Sequence, residues 1–587
     1  MCLYIAPMHH LHTHQAKDMK THGRRRVASV AWCNAIGMVL ALATPVVFVT
    51  ANNGDTPAKD NVAVVSRIAA SAAAATAAPG VNVTAICMAT PYPRACETAL
   101  SSAAARGAAK DPFAASVQFA MTRAESARAL ARYLSSSSPR PRRVPPSGMD
   151  DCAELLDISL DQLRDALAGA GDAAGVTTWL SAALTNQGTC GDSLAAVPDR
   201  AARDAVRARV GALEQFIGTA LALHAKLKNG SAILPPPSSP APAPAPPNLS
   251  SFPSWVSKHD RHLLSSPPST ITPDAVVALD GSGTHTSISD AIAAVTAPVH
   301  PAATGGGRKV IYVKAGRYEE SVSISSKQKN VMLLGDGKGK TVISGHKSVA
   351  GGYTTYASAT VAAMGSGFIA KDLTIVNSAG PGKGQAVALR VGGDLSVVYR
   401  CGIEAYQDTL YVHSNRQFYA ADDISGTVDF IFGNAAAVIQ GCDIRARRPG
   451  PGQQDTVTAQ GRSDPNQNTG ISIHRCRIAA APDLGGAPVY LGRPWRRYSR
   501  TVVMDTALDR SIAPAGWLEW SGQFGLATLY YGEYGNTGPG AVTRRRVTWG
   551  GVHSRMSTSD ATRFTVANFI VGDAWLPGTG VAYTSGL

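Results

Sequence analysis

Two aspartates in the C-terminal half of the chain lie in unusually apolar surroundings. Asp408 belongs to the segment 406–411 and Asp429 to the segment 426–433, and the two residues are 21 positions apart. Two neighbouring carboxylates do not ionise independently, because the charge on one raises the pKa of the other. One member of such a pair can act as an acid and the other as a base or nucleophile, an arrangement that suits hydrolysis. The two residues therefore predict a hydrolytic site, provided that the fold brings them together.

A short internal repeat indicates what that fold is. The pattern x-C-x-I occurs at Cys401, Cys442 and Cys476, with a degenerate copy at Asp422. The copies at 401, 422 and 442 are 21 and 20 residues apart. Short strands repeated at this period are typical of a parallel β-helix, in which each coil stacks about 4.8 Å from the last.

The repeat also predicts where the two aspartates lie. Asp408 follows position 401 by seven residues, and Asp429 follows position 422 by seven residues. We therefore expect both carboxylates on the same face of neighbouring coils. Gln385, 23 residues before Asp408, is a candidate for the same column. The alternative interpretation is a stacked Asp ladder that serves only packing.

Length and composition indicate at least two folded domains. The chain has 587 residues, 45% of them hydrophobic and 16% charged, and it contains 57 glycines. Single cores stop growing near roughly 250–300 residues, so a chain of this length divides. Residues 265–587 consist of short β-rich runs separated by Gly, Asn and Asp, with a helical pattern over 289–295. This region is predicted to be all-β.

The preceding region, residues 82–228, is rich in Ala, Leu and Arg at helical spacing. The pattern predicts a bundle of about four helices. It contains four cysteines, Cys87, Cys96, Cys152 and Cys190. An even number in an oxidising compartment favours two disulfides, and the spacing excludes the usual zinc patterns.

Both ends of the bundle region carry signs of export and processing. Three arginines at 24–26 precede an apolar run at 27–51, so residues 1–51 are interpreted as a signal peptide or signal anchor. Contact with a membrane is expected only through this segment. Sequons at Asn82, Asn229 and Asn248 suit a secreted glycoprotein. Residues 229–264 form a Pro-rich linker, with a candidate protease site at 261–264.

The net charge of +14 predicts an acidic partner, which by charge alone is a nucleic acid, an anionic lipid or a polyanionic polysaccharide. The absence of paired CxxC, helix-turn-helix and RNP-like patterns argues against nucleic acid. Basic clusters at 445–448, 496–497 and 544–546 suit an anionic polymer or a solvated surface. The glycine-rich run 335–341 has one residue too few for a phosphate loop, and the absence of G-x-S-x-G disfavours a serine esterase.

Five separated motifs across 265–587 resemble those of plant pectin methylesterases. They are Gly316–Glu320, Gln385–Arg390, Tyr406–Tyr411, Gly426–Gly433 and Leu491–Trp495. The resemblance implies a right-handed parallel β-helix that converts methyl-esterified pectin to pectate and methanol in the cell wall, without a metal or other cofactor.

The same resemblance implies roles for individual residues. Asp429 is the expected nucleophile, and Asp408 the expected acid and then base. Gln385 and Gln407 are the expected oxyanion donors. Arg493 is expected to hold Asp429 ionised and oriented and to contribute to substrate binding. The expected substrate contacts are Trp495, Thr355 and Gln385.

The helical region resembles the pectin methylesterase inhibitor domain. This resemblance implies the disulfides Cys87–Cys96 and Cys152–Cys190, and a pro-region that is removed at a site such as Arg261–Leu264. Expected partners are therefore pectin and the chain's own or other inhibitor-type domains. One departure is Asp422, where the family usually carries a cysteine paired with the counterpart of Cys442. Cys442 is then free, or paired with Cys401 or Cys476.

Two classes of rival function remain open from the sequence, another enzyme on the same fold and a protein without catalytic activity. A pectate lyase or polygalacturonase uses the same fold, and its products are shortened chains instead of methanol. A protein that acts chiefly as an inhibitor through its bundle, or as a structural wall protein, has no use for the set Asp408, Asp429, Arg493 and Gln385. The intact set therefore favours the esterase.

Overall fold

The computed structural model describes residues 83–104, 111–136, 147–169, 172–230, 271–297 and 307–587. The expected signal or anchor segment, the candidate protease site at 261–264 and the sequon residues Asn82 and Asn248 lie outside the described residues. Among the described residues, no helix is long and apolar enough to cross a membrane.

In the described part of the N-terminal domain there are six α-helices. They are α1 (Val83–Met88), α2 (Pro93–Ala104), α3 (Pro112–Ser136), α4 (Gly148–Ala168), α5 (Ala173–Ser193) and α6 (Arg200–Gly230). The long helices α3 to α6 pack around a shared apolar core that includes Leu155, Leu160 and Leu213. This agrees with the predicted bundle of about four helices, preceded by a shorter helical pair.

Local sequence explains where two of the long helices begin. The side chain of Ser147 accepts a hydrogen bond from the Met149 N–H at the start of α4, and the Ser147 backbone N–H donates to the Asp150 carboxylate, which completes a capping box. The side chain of Asp172 caps α5 by accepting from the Gly175 N–H. Both disulfides implied by the resemblance are present, Cys87–Cys96 and Cys152–Cys190.

The C-terminal domain is a parallel β-helix made of three sheets, in which every paired strand is parallel to its neighbour. The first sheet contains β1 (Ala275–Val277), β2 (Lys309–Val313), β5 (Val331–Gly335), β8 (Ile369–Lys371), β11 (Ser396–Tyr399), β14 (Arg416–Ala420), β17 (Ala436–Gln440), β20 (Gly470–His474), β23 (Arg500–Met504), β25 (Tyr530–Tyr534) and β26 (Val552–His553). The second contains β3 (Gly316–Glu319), β6 (Thr341–Gly345), β9 (Thr374–Asn377), β12 (Gly402–Glu404), β15 (Asp423–Gly426), β18 (Asp443–Ala446), β21 (Arg477–Ala480) and β24 (Ala507–Leu508). The third contains β4 (Val322–Ile324), β7 (Val361–Ala363), β10 (Leu389–Val391), β13 (Leu410–Val412), β16 (Ile431–Gly433), β19 (Asp455–Gln460) and β22 (Val489–Gly492).

Helix α7 (Ile288–Thr296) lies between β1 and β2, and the short helices α8 (Thr558–Thr562) and α9 (Val566–Phe569) follow the last strand. The glycine-rich run 335–341 joins β5 to β6, so it is a turn of the β-helix, as the sequence analysis expected.

The strand register agrees with the repeat found in the sequence. Ile403 pairs with Ile424, and Ile424 pairs with Ile444, which in turn pairs with Ile478. All four side chains belong to the buried apolar core inside the coils. The isoleucine of each x-C-x-I copy is therefore the residue that stacks along the interior.

The residues at the cysteine position of the repeat form a second ladder, in which their side chains accept hydrogen bonds. The backbone N–H of Cys401 donates to Asp422 Oδ1 at 2.7 Å, and the N–H of Asp422 donates to Cys442 Sγ at 3.3 Å. The N–H of Cys442 donates to Cys476 Sγ at 3.3 Å. All three cysteines are free thiols and buried. Asp422 thus acts as an acceptor in a ladder that is otherwise made of cysteine sulfurs.

One basic cluster has a structural role that its sequence did not indicate. The Arg546 guanidinium is buried and donates to both carboxylate oxygens of Glu533, at 2.8 and 2.9 Å. Burial of a charge is tolerated when it is paired and hydrogen-bonded. Arg546 is therefore a paired charge inside the fold, whereas Arg544 and Arg545 of the same cluster are exposed.

The buried Asp422 predicts a dependence of stability on pH. Its burial raises the pKa of this carboxyl to about 8, and its Oδ2 has no hydrogen-bond partner among the described residues. Because the folded pKa lies above the unfolded value, the stability that the neutral carboxyl allows is fully present at acid pH and is lost as pH rises toward 8. The cost grows by about 1.4 kcal/mol for each pH unit in that interval.

We expect Asp422→Asn to melt at a higher temperature than the wild type at pH 7.5, with a smaller difference at pH 5, because the amide cannot ionise. The measurement is thermal unfolding of the full chain at both pH values. Glu404→Gln, at an exposed position of the second sheet, is the control and should show no such trend. An Asp422→Asn difference that is independent of pH would show that the carboxyl does not remain neutral inside the fold.

Candidate active site

Asp408 and Asp429 occupy equivalent positions on neighbouring coils. Each lies two residues before a strand of the third sheet, where β13 pairs with β16 through Leu410 and Ile431. Both residues adopt left-handed backbone conformations, with φ of 63° and 54°. Aspartate tolerates this conformation better than most residues, and such strain is concentrated at functional sites. The turn thus presents both carboxyl groups at one edge of the third sheet.

Gln385 does not occupy the position of its own coil that is equivalent to Asp408 and Asp429. β10 pairs with β13 through Leu389 and Leu410. When this register is extended by two residues, Val387 is level with Asp408. Gln385 therefore lies outside the column that the repeat suggested, and it approaches from the segment after the short helical turn Pro381–Lys383.

Asp429 is held by two side chains from other coils. Arg493 donates from Nε to Oδ1 at 2.8 Å and from Nη2 to Oδ2 at 2.7 Å, a two-point contact with both carboxylate oxygens. The hydroxyl of Thr456 donates to Oδ1 at 2.6 Å and accepts from the Asp429 backbone N–H at 2.8 Å. These contacts fix the orientation of the carboxylate. The sequence analysis predicted Arg493 but missed Thr456, which no motif distinguished.

Asp408 has a different environment. Its side chain is buried, and its backbone N–H donates to the Val428 carbonyl at 3.1 Å. Burial raises the pKa of the Asp408 carboxyl well above its ordinary value, and the nearby Asp429 raises it further, while Arg493 acts in the opposite direction. The two aspartates thus differ in electrostatic surroundings: Asp429 is ion-paired, and Asp408 favours its protonated form.

All seven catalytic and substrate-binding residues predicted from the sequence line one cavity. The cavity has a volume of about 540 Å³ and is lined by Thr355, Gln385, Gln407, Asp408, Asp429, Arg493 and Trp495. Trp520, which the sequence analysis did not identify, lines it as well. Its ring lies 4.5 Å from the Arg493 guanidinium. The β-helix thus brings together Thr355 and Trp520, which are 165 positions apart in the chain.

An aromatic row continues from the cavity along the third sheet. Tyr411 stacks on Phe432 with ring centroids 4.1 Å apart, and Phe432 meets Trp495 edge-on at 5.9 Å. Gly461 leaves room for the Trp495 ring, since a Cβ at this position would lie 2.7 Å from it. Flat apolar rings beside polar groups form a surface that suits pyranose rings.

Helix α5 of the bundle lies against this surface. Its residues Thr178, Ser181, Thr185, Thr189 and Asp192 are spaced by three or four positions, so they share one helix face. Each makes a hydrogen bond to the β-helix, through Asn468, Gln467, Asn434, His413 and Arg496 respectively. The spacing of these small polar residues was visible in the sequence, but the sequence analysis did not use it.

Helix α4 contributes two further contacts. The Thr354 hydroxyl donates to the Asp151 carboxylate, and the Tyr356 hydroxyl donates to Glu154 at 3.1 Å. Thr354 and Tyr356 both line the 540 Å³ cavity, as do the bundle residues Thr189 and Asp192. One wall of the cavity is therefore made by the bundle.

Comparison with known proteins agrees with this architecture. The Pectinesterase family profile matches residues 274–573, and the Plant invertase/pectin methylesterase inhibitor profile matches residues 81–223. The chain is 50% identical over 489 residues to "Probable pectinesterase/pectinesterase inhibitor 35" of Arabidopsis thaliana, covering 81% of this chain and 88% of the relative. It is 46% identical over 512 residues to "Pectinesterase 2" of Citrus sinensis, covering 85% and 94%.

A solved structure of a pectin methylesterase from carrot is also similar. It shares 55% sequence identity with a TM-score of 0.52, and the match covers 54% of this chain and 99% of the carrot chain. That share corresponds to the β-helix region, so a relative of this region exists as a complete folded chain.

The chain therefore belongs to the pectinesterase family. It is a pectin methylesterase with an N-terminal domain of the inhibitor type.

Proposed function

We propose that hydrolysis of the pectin methyl ester proceeds through an acyl-enzyme formed on Asp429. The observation that carries this proposal is the two-point contact of Asp429 with Arg493, beside the buried Asp408 and inside one cavity. The Asp429 carboxylate attacks the ester carbonyl carbon, and the C–O bond to the methoxy group breaks. A carboxylate that is held in position needs little reorganisation before attack.

Asp408 is proposed to move the protons. Burial and the neighbouring Asp429 raise the pKa of its carboxyl, so it carries a proton that it gives to the departing methoxide to form methanol. The resulting Asp408 carboxylate then takes a proton from water. The hydroxide attacks the acyl carbon and the bond to Asp429 breaks, which restores the Asp429 carboxylate. The galacturonic acid that is released loses its proton to water, and Asp408 is again protonated.

Gln385 and Gln407 are proposed to stabilise the oxyanion. Both side chains line the cavity with the two aspartates. Amide N–H groups that face the developing negative charge lower the barrier, since the charge appears only in the transition state. Trp495 and Thr355 are proposed substrate contacts, with the Trp495 ring as a platform for a sugar ring. Thr456 keeps the Asp429 carboxylate in place and is a positioning residue.

We expect Asp429→Asn in residues 265–587 to lower methanol release from highly methylated pectin by at least about 10³-fold, because the amide is not a nucleophile. The assay measures methanol and polymer length together. Asp423→Asn, which is exposed on the second sheet, is the control and should keep the wild-type rate. Shortened polymer without methanol would favour a lyase or polygalacturonase and contradict the proposal.

The bundle is proposed to act as an inhibitory pro-region that covers the cleft of its own chain. The polar face of α5 and the carboxylates of α4 contact residues of the cavity wall, and Tyr411 and Phe432 share an apolar core with the bundle. A pectin chain that passes over this aromatic row meets the bundle. Action in the cell wall, outside the cell, is supported by the two disulfides, which persist in oxidising compartments.

We expect residues 265–587 to release methanol faster than the full chain, and the ratio of full-chain to segment rate to rise with pH. Burial raises the pKa of Asp151 to about 6. Because this value lies above the ordinary one, the neutral carboxyl favours the covered state at acid pH, and this contribution is lost as pH rises through about 6. Rates of both proteins at pH 5 and pH 7.5 give the ratio.

The matched control is Asp151→Asn in the full chain, whose rate ratio should change little with pH because the amide does not titrate. Equal rates for the full chain and the segment at every pH would show that the bundle does not restrict access. A ratio that falls with pH would exclude Asp151 as the titrating group.

A further inference from the structure

Arg496 lies where the bundle, the aromatic row and the cavity meet. Its Nη2 is 2.6 Å from each carboxylate oxygen of Asp192. Its guanidinium lies 5.0 Å from the centroid of the Trp495 ring. Asp192 and Trp495 line the cavity that contains Asp408 and Asp429. Arg496 is therefore adjacent to the proposed sugar platform and within the covered part of the cleft.

A second, smaller cavity extends on the other side of these residues. It has a volume of about 260 Å³, and Arg496, Asp192 and Trp495 all line it. Asp192 and Trp495 therefore border both cavities. The Arg496 side chain therefore lies in the second cavity, next to Trp495 at the boundary with the first.

A guanidinium next to the Trp495 ring, the proposed platform for a sugar ring, is well placed to bind a carboxylate of the sugar. Arginine binds carboxylates strongly because its planar donor group matches their geometry. Pectin carries a free carboxylate on each galacturonate unit that has already lost its methyl group. The acid that Arg496 contacts in the described residues belongs to the bundle and not to the β-helix. Removal of the bundle would thus leave a free guanidinium in the cleft.

We propose that Arg496 binds the free carboxylate of a galacturonate unit near the methyl ester that is hydrolysed, and that Asp192 occupies this position while the bundle covers the cleft. This proposal rests on the esterase function and on the covering of the cleft by the bundle. It gives the bundle a mode of action, because one of its carboxylates takes the place of a substrate carboxylate.

Two other acidic residues of the bundle also accept hydrogen bonds from residues of the cleft. Asp151 accepts from the Thr354 hydroxyl, and Glu154 accepts from the Tyr356 hydroxyl, and both hydroxyls belong to cavity-lining residues. Of these three acids, Asp192 is the one that contacts a charged donor.

The simpler interpretation is that Asp192 and Arg496 form only an anchor between the domains. Their side chains remain 45% and 34% exposed, so water and salt screen the pair. Exposed ion pairs contribute little to stability. The two interpretations differ in whether Arg496 affects the enzyme when the bundle is absent.

The first measurement is therefore the KM of residues 265–587 for two pectins, one highly methylated and one partly de-esterified. Arg496→Gln should raise KM for the partly de-esterified pectin by about tenfold, as expected for a lost hydrogen bond to a charged group. It should change KM for the highly methylated pectin by less than about twofold. Arg497→Gln removes the same charge from the exposed neighbouring position and should change the KM ratio little.

The second measurement tests the role of Asp192 in the full chain. Calorimetry with a galacturonate oligomer that carries only free carboxylates should show tighter binding to Asp192→Asn than to the wild type. Glu125→Gln, a neutralised acid exposed on α3, is the control and should bind as the wild type does. Equal binding by Asp192→Asn and the wild type would overturn the role of Asp192.

The outcomes separate this proposal from the proposed function. If the segments release methanol but Arg496→Gln and Arg497→Gln have the same KM ratio, the esterase mechanism stands and the carboxylate site is wrong. If no segment releases methanol, the proposed function fails. Calorimetry of the same oligomer with the wild-type and Arg496→Gln segments then decides the carboxylate site, and equal affinities contradict it.

Discussion

The parallel register between successive coils is the constraint on which the rest of this structure depends. Because each coil lies about 4.8 Å from the next, residues that occupy equivalent positions are neighbours in space although they are 20 or more positions apart in the chain. The pairing of Leu410 with Ile431 brings Asp408 beside Asp429, and the pairing of Ile431 with Thr458 brings Thr456 within reach of Asp429. A shift of one residue would turn these side chains to the other face. The pairing of β13, β16 and β19 in the third sheet therefore fixes the geometry of the site.

Within this frame, two carboxyl groups of the same kind acquire different properties from their neighbours. Arg493 and Thr456 together supply three hydrogen bonds to the Asp429 carboxylate. Asp408 is buried, and its pKa is raised by that burial and by the charge of Asp429. Such a separation is the basis of the proposed roles, in which one aspartate is the nucleophile and the other carries a proton. Burial also raises the pKa of Asp422, which accepts the Cys401 N–H hydrogen bond inside the fold.

The sequence predicted the coil architecture and most of the site, for reasons that are clear in the structure. The x-C-x-I repeat marks inward-facing positions, so its period reports the coil directly. Gln385 was placed in the wrong column because the coil that contains it has a segment of different length before β10. Thr456 lies in no recognisable motif, and its importance follows only from the register. Arg546 appeared to be part of a surface cluster, and its ion pair with Glu533 depends on a contact that no pattern in the sequence reveals.

The bundle was predicted as a separate domain, but its position over the cleft follows from a polar helix face that composition does not reveal. The most direct test of the account concerns the proton on Asp408, because the division of labour between the two aspartates depends on it. Infrared difference spectroscopy of the full chain at pH 7, with Asp408→Asn as the reference, measures that proton. The account predicts that the substitution removes intensity from the protonated-carboxyl band. Loss of intensity from the ionised-carboxylate band instead would contradict it.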